Sequence, residues 1–201
     1  MPSSSAVEFA VARAGARLLV AAAGYPPTVS PRELHKASCL HAALAMSVAA
    51  WEAYLERLVR EVQQEISDTS QVRLSAVLSL LKILTEKQVK LFNTPNADNA
   101  RALLYGHTGY DPINDWHWPS KNMSGIQTRQ RLDEILRVRH SFAHGFPIPT
   151  DIQWAKNRNS PGMLNIKALK AVDGFLSHLV KITDSGMSRH LSTVFGLTTT
   201  W

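Results

Sequence analysis

Residues 34–66, LHKASCLHAALAMSVAAWEAYLERLVREVQQEI, decide the fold. Apolar side chains recur at Leu34, Ala37, Leu40, Leu44, Val48, Trp51, Leu55, Leu58, Val62 and Ile66, in steps of three and four. That spacing keeps them on one stripe of a helix turning about 100° per residue. A helix of roughly 35 residues is about 50 Å long at 1.5 Å per residue, so the pattern predicts a central mast on which shorter helices pack. Ser30-Pro31-Arg32-Glu33, just upstream, reads as a capping box with proline at the first helical position. Trp51 is expected in the core. Glu52 and Tyr54 lie to its sides, where they either line a cleft or make structural polar contacts.

Upstream of the mast, residues 6–23 read as an Ala-rich helix with Phe9, Ala12, Leu18 and Val20 among its apolar positions, stopped by Pro26 and Pro27. Downstream, residues 72–91 carry Val77, Leu78, Leu81, Leu84 and Val89, which predicts a helix folded back antiparallel on the mast. Thr94-Pro95 opens a shorter helix to about Tyr105. The run 106–122, GHTGYDPINDWHWPSKN, then breaks the periodicity. Its Tyr110, Trp116 and Trp118 either stack on unpaired bases or pin the loop to the core or to a second subunit. Ser124-Gly125-Ile126-Gln127 forms another capping box, and Lys156 to Pro161 reads as an exposed loop. Asn165 caps a last helix to about Ile182, with Leu169, Val172, Phe175, Leu176 and Leu179 facing inward, and residues after Leu191 read as a loosely held tail.

The expectation is an all-α, single-domain helical bundle over residues 1–201, with one long central helix, five to six helices in all, a core over about 7–191, and no sheet. A chain of 201 residues with 45% hydrophobic and 19% charged content can bury one substantial core. The lone Cys39 excludes an intramolecular disulfide framework and fits a reducing, cytoplasmic setting. Glu8, Arg13 and Arg17 interrupt the N-terminal apolar run, which therefore reads as a helix and not as a signal peptide, and no run is long enough to span a bilayer. A formal charge of +6 and a pI near 9.7 favour polyanion partners only slightly, because no dense Lys/Arg block is present.

Residues 131–145, RLDEILRVRHSFAHG, break ordinary helix rules. Leu132, Ile135, Leu136, Phe142 and Ala143 fall in one apolar arc with Arg139 in its middle, and Asp133, Arg137, His140 and His144 form a polar face beside it. A buried guanidinium costs several kcal/mol unless it is paired, so something other than packing favours Arg139. Gly145 is the expected left-handed cap, followed by Pro147 and Pro149. Imidazoles move protons and a guanidinium stabilises charge on phosphate oxygens. Together they suit metal-free RNA cleavage, in which a 2′-OH attacks the neighbouring phosphate. No cofactor is expected. His35 with His41, and His178 with His190, lack the spacing of a helical metal site.

Arg139-His140-Ser141-Phe142-Ala143-His144 resembles the Arg, polar residue, three variable residues, His signature of the HEPN superfamily of helical ribonucleases. Trp51-Glu52-Ala53-Tyr54-Leu55, Asn93-Thr94-Pro95 and the Trp-rich loop resemble its RiboL-PSP-HEPN branch, so that the likeness spans about Val7 to Leu191. The resemblance implies Arg139 and His144 as the catalytic pair with His140 assisting, and a homodimer whose two motifs share one composite active site. Glu52, Tyr54, Arg137, Trp116 and Trp118 are the candidate substrate-binding residues. It further implies a toxin, an antiphage defence protein or an RNA-processing enzyme, with RNA as substrate and an antitoxin protein as a partner. In one HEPN group the antitoxin modifies a Tyr two places after the final His. Here that position is Phe146, which has no hydroxyl to modify. The alternative is a non-catalytic HEPN module for dimerisation or for RNA or protein binding. On an ideal helix Arg139 and His144 lie about 140° apart, so one cleft receives both only if the last turn unwinds or two protomers face each other.

Overall fold

The computed structural model describes residues 1–25, 32–68, 75–155 and 164–197. Among the described residues there are six α-helices and no sheet: α1 Ser4–Ala22, α2 Arg32–Asp68, α3 Ser75–Leu91, α4 Ala97–Thr108, α5 Gly125–Ala143 and α6 Ile166–Phe195. Two single-turn 3-10 helices, Pro112–Asn114 and Pro119–Lys121, lie between α4 and α5. The long helix is central as expected, since α2 packs against each of the other five. α1 runs antiparallel to it: Ser5 meets Glu61 at one end, and the Ala22 carbonyl meets His35 at the other. The capping box at Ser30 and the loop from Lys156 to Pro161 fall outside the described residues.

The centre of the core is aromatic. Trp51, Tyr54 and Trp116 are all fully buried, with Trp51 5.6 Å from Tyr54 and 6.1 Å from Trp116 between ring centroids. A buried indole or phenol must also satisfy its polar atom. Trp51 Nε1 donates to the Pro95 carbonyl at 3.0 Å, Trp116 Nε1 donates to Thr183 Oγ1 at 2.9 Å, and Tyr54 Oη donates to the Val180 carbonyl at 3.3 Å.

Three expectations need correction. α3 does lie antiparallel on α2, but it turns its apolar stripe outward: Val77, Leu80, Leu81 and Leu84 are about half exposed, and of its larger apolar side chains only Val89 is buried. What holds it is a polar seam. Thr85 accepts from Gln63 Nε2 and lies 2.8 Å from His107 Nδ1, while Arg60 pairs with Glu86 at 2.9 Å. α4 starts at Ala97 and not at Pro95, because the Asn96 side chain caps it by accepting the Asn99 N–H at 2.8 Å. α6 continues past Ile182 to Phe195, into the stretch expected to be a tail.

Two poor helix formers in the extension of α6, Asp184 and Gly186, are engaged by distant parts of the chain. The Asp184 carboxylate accepts the backbone N–H of Ser3 at 2.9 Å and its hydroxyl as well. Gly186 lies directly under Tyr110 Oη and Asp115 Oδ2, where a Cβ would collide with both. That crossing fixes the loop before α5, since Tyr110 donates to Asp115 at 2.7 Å and Asp115 in turn accepts from Arg189. Gly186→Ala should therefore destabilise the protein by about 1–3 kcal/mol, the usual cost of overpacking. Urea denaturation checks this, and an unchanged midpoint would show that the crossing has slack.

Candidate functional site

α5 begins with the reciprocal box expected from sequence: the Ser124 N–H donates to Gln127 Oε1 at 2.8 Å and the Gln127 N–H donates to Ser124 Oγ at 3.4 Å. Thr128, Leu132, Ile135, Leu136, Val138 and Ser141 are its buried side. The apolar arc fades toward the C-terminus, where Phe142 is half-buried and Ala143 exposed. There the helix closes in a Schellman arrangement, with the Gly145 N–H on the Phe142 carbonyl at 3.2 Å and the Phe146 N–H on the Ser141 carbonyl at 2.7 Å. Gly145 takes the required positive φ of 70°. His144 keeps its own helical bond to His140 at 3.2 Å, so the last turn stays wound.

The two motif imidazoles, His140 and His144, are exposed and stand 4.3 Å apart between ring centroids. Arg139 is half-buried and has no hydrogen bond or ion pair among the described residues. Glu52 on α2 feels its charge. Burial pushes the Glu52 carboxyl up, Glu56 adds to this, and Arg139 pulls it back. Glu52 is therefore within electrostatic reach of Arg139. Arg137 is spent in a bidentate pair with Asp151, at 2.7 and 3.0 Å, on the exposed side of α5. A groove of about 330 Å³ runs beside His140, between Thr94 and Asn96 on one side and Asp133, Leu136 and Pro149 on the other.

The remaining candidates lie elsewhere. Tyr54 and Trp116 are completely buried, so neither offers a ring face to a ligand. Trp118 stacks on His178 at 4.6 Å, and His178 Nε2 lies 2.8 Å from the His117 carbonyl, which pins the loop to α6. Of the two readings of the Trp-rich loop, these contacts favour pinning. Sequence reasoning missed His41. Its ring stacks on Phe142 at 3.6 Å and 20°, inside the motif, and its Nε2 is buried without a hydrogen-bond partner among the described residues. The only signal was an imidazole next to the stripe position Leu40. Among the described residues no three His, Cys, Asp or Glu side chains gather as metal ligands, and no helix is long and apolar enough to cross a membrane.

A family model described as RiboL-PSP-HEPN matches residues 26–160, which takes in α2 to α5 and the whole motif. No curated protein and no solved structure matches the chain.

Burial lowers the affinity of His41 for a proton. Unfolded, the ring protonates near its ordinary value of about 6.5; folded, it resists. The stability tied to this group is intact above that value and is lost as pH falls below it, until the folded ring also protonates. His41→Phe keeps an aromatic partner for Phe142 without the titration. Between about pH 7.5 and about pH 5.5, the melting temperature of wild type should fall further than that of His41→Phe. Equal falls would place the acid sensitivity elsewhere.

Proposed function

Because the chain belongs to the RiboL-PSP-HEPN family, we propose that it is a metal-independent endoribonuclease that cleaves single-stranded RNA by attack of a 2′-OH on the adjacent phosphate. HEPN proteins carry ribonuclease or RNA-binding roles, and one observation favours the first: two exposed imidazoles 4.3 Å apart beside a half-buried arginine that has no hydrogen bond or ion pair among the described residues and only the longer-range charge of Glu52 to balance it. A structural arginine would be tied to a carboxylate, as Arg137 is to Asp151.

His144 takes the proton of the 2′-OH as the 2′ oxygen bonds to phosphorus. The bond from phosphorus to the 5′ oxygen breaks, and that oxygen leaves with a proton returned by an imidazolium, which yields a 2′,3′-cyclic phosphate and a 5′-OH. Arg139 holds the charge that builds on the phosphoryl oxygens, and Glu52 orients Arg139 from α2. His140 orients His144 or relays its proton. DNA, lacking the 2′-OH, is spared. The setting is a cytoplasmic toxin or defence nuclease, with an antitoxin protein as its restraint.

The wound last turn argues for a dimer. With His144 still in helical register, Arg139 and His144 of one protomer diverge by about 140°, so a single phosphate is reached by both only when a second copy brings its motif to the same cleft. A binding module is the second reading, favoured by the exposed apolar stripe of α3, a surface suited to a partner.

Wild type in EDTA should cut mixed-sequence RNA to products with cyclic phosphate ends and leave DNA intact. His144→Ala should slow this by about 10²–10⁴-fold and Arg139→Ala by about 10²–10³-fold, with melting temperatures retained. Cleavage that vanishes in EDTA, or survives unchanged in His144→Ala, would refute the mechanism. Mixing the two inactive variants should restore part of the activity through heterodimers. A monomer by light scattering that nevertheless cuts RNA would remove the composite site.

A further inference from the structure

The groove beside His140 contains two polar groups that the reaction above does not use. Asp133 Oδ1 accepts the N–H of Ala97, the first residue of α4, at 2.9 Å, while its Oδ2 has no hydrogen bond among the described residues. Arg137, one turn further along the same face, does not neutralise it, because Asp151 holds that guanidinium in both directions. Across the groove Asn96 uses its side-chain oxygen to cap α4 and leaves its amide N–H₂ without a partner among the described residues. A half-buried carboxylate oxygen and an amide donor thus face one space, with Leu136 and Pro149 as apolar wall.

From this juxtaposition we infer that the groove seats a guanine flanking the scissile linkage, with Asp133 accepting its N1–H and N2–H₂ and the Asn96 amide donating to its O6. The inference rests on the ribonuclease reading. Of the four RNA bases, guanine alone offers two adjacent donors next to an acceptor on its Watson–Crick edge; adenine and cytosine set one amino group beside a ring acceptor, and uracil sets one N–H between two carbonyls. The spacing also fits. Asp133 precedes His140 by two helical turns on the same face, about 10 Å at 1.5 Å per residue, roughly the reach from a phosphate to the far edge of its base. Burial pushes the Asp133 carboxyl up, opposed by the Ala97 N–H and by the charge of Arg129 one turn back on α5, and reinforced by Asp98. Additional donors are what such a group lacks, and hydrogen bonds to a charged partner are among the stronger ones.

The test uses 2′-O-methyl oligonucleotides, which lack the nucleophile, carrying guanine, inosine, adenine or uracil at one position of an otherwise fixed sequence. Affinity is read by fluorescence anisotropy, and the corresponding RNAs are assayed for cleavage. Wild type should bind the guanine oligonucleotide roughly ten- to a hundred-fold more tightly than the inosine one, which lacks only the N2 amino group. Asp133→Asn keeps an oxygen for the Ala97 N–H and should lose that discrimination at an unchanged melting temperature. If it fails to fold, Asn96→Ser decides: serine still caps α4 but removes the donor to O6, and the preference of guanine over adenine should shrink. Equal affinity for guanine and inosine in wild type, or full discrimination in the folded Asp133→Asn protein, would overturn the inference. RNA cleavage without base preference would sink the guanine site and spare the ribonuclease. Guanine preference in binding without any RNA cleavage would do the reverse.

Discussion

The hydrogen bond from the Trp51 indole to the Pro95 carbonyl ties the core to the motif. Trp51 sits fully buried at the middle of α2, and its bond fixes where the chain turns into α4. The first amide of α4, that of Ala97, is then taken by Asp133 of α5. Two hydrogen bonds therefore set the depth and the register of the motif helix against the mast. The residue after Trp51 is Glu52, whose carboxyl feels Arg139. A change that loosened the indole would be felt at the guanidinium through the backbone.

Packing and chemistry divide α5 between its two halves. The first half is a well-capped helix with a continuous buried side, from Thr128 to Val138. The second half outruns the core, and what steadies it is local: the Gly145 closure and the stack of Phe142 on His41. The motif imidazoles, at the free end of a helix anchored elsewhere, are exposed without being loose. In the ribonuclease we propose, preorganisation of this kind would lower the cost of aligning a nucleophile with its phosphate.

Much of this was legible because helix period, caps and glycine stops are local properties. The α2 stripe, the Ser124 box and the Gly145 closure follow from sequence spacing alone. Direction was not legible. Val77, Leu81 and Leu84 repeat as a core stripe would, yet α3 shows them to solvent because Thr85, Gln63 and His107 supply its inward contacts. Trp116 reads as a loop aromatic, and only the fold provides Thr183 as a partner for its indole. The extent of α6 depended on Ser3 and Tyr110, residues far away in the chain. For the candidate site, the order Arg-His-Ser-Phe-Ala-His was visible at once, whereas His41 and the unspent oxygen of Asp133 became visible only when α2 and α4 were set against α5.

The outward turn of α3 also bears on how the molecule breathes. A helix held by one narrow polar seam and one buried valine contributes little to the cooperative core, so its amides belong to the first unit to exchange with solvent. Because α3 leads into the Asn93 to Asn96 segment on which α4 is capped, such an excursion would reach the rim of the groove without opening the aromatic centre. The protein can thus fluctuate at the rim of that groove while Trp51 and Trp116 stay closed, an opening that costs less than global unfolding.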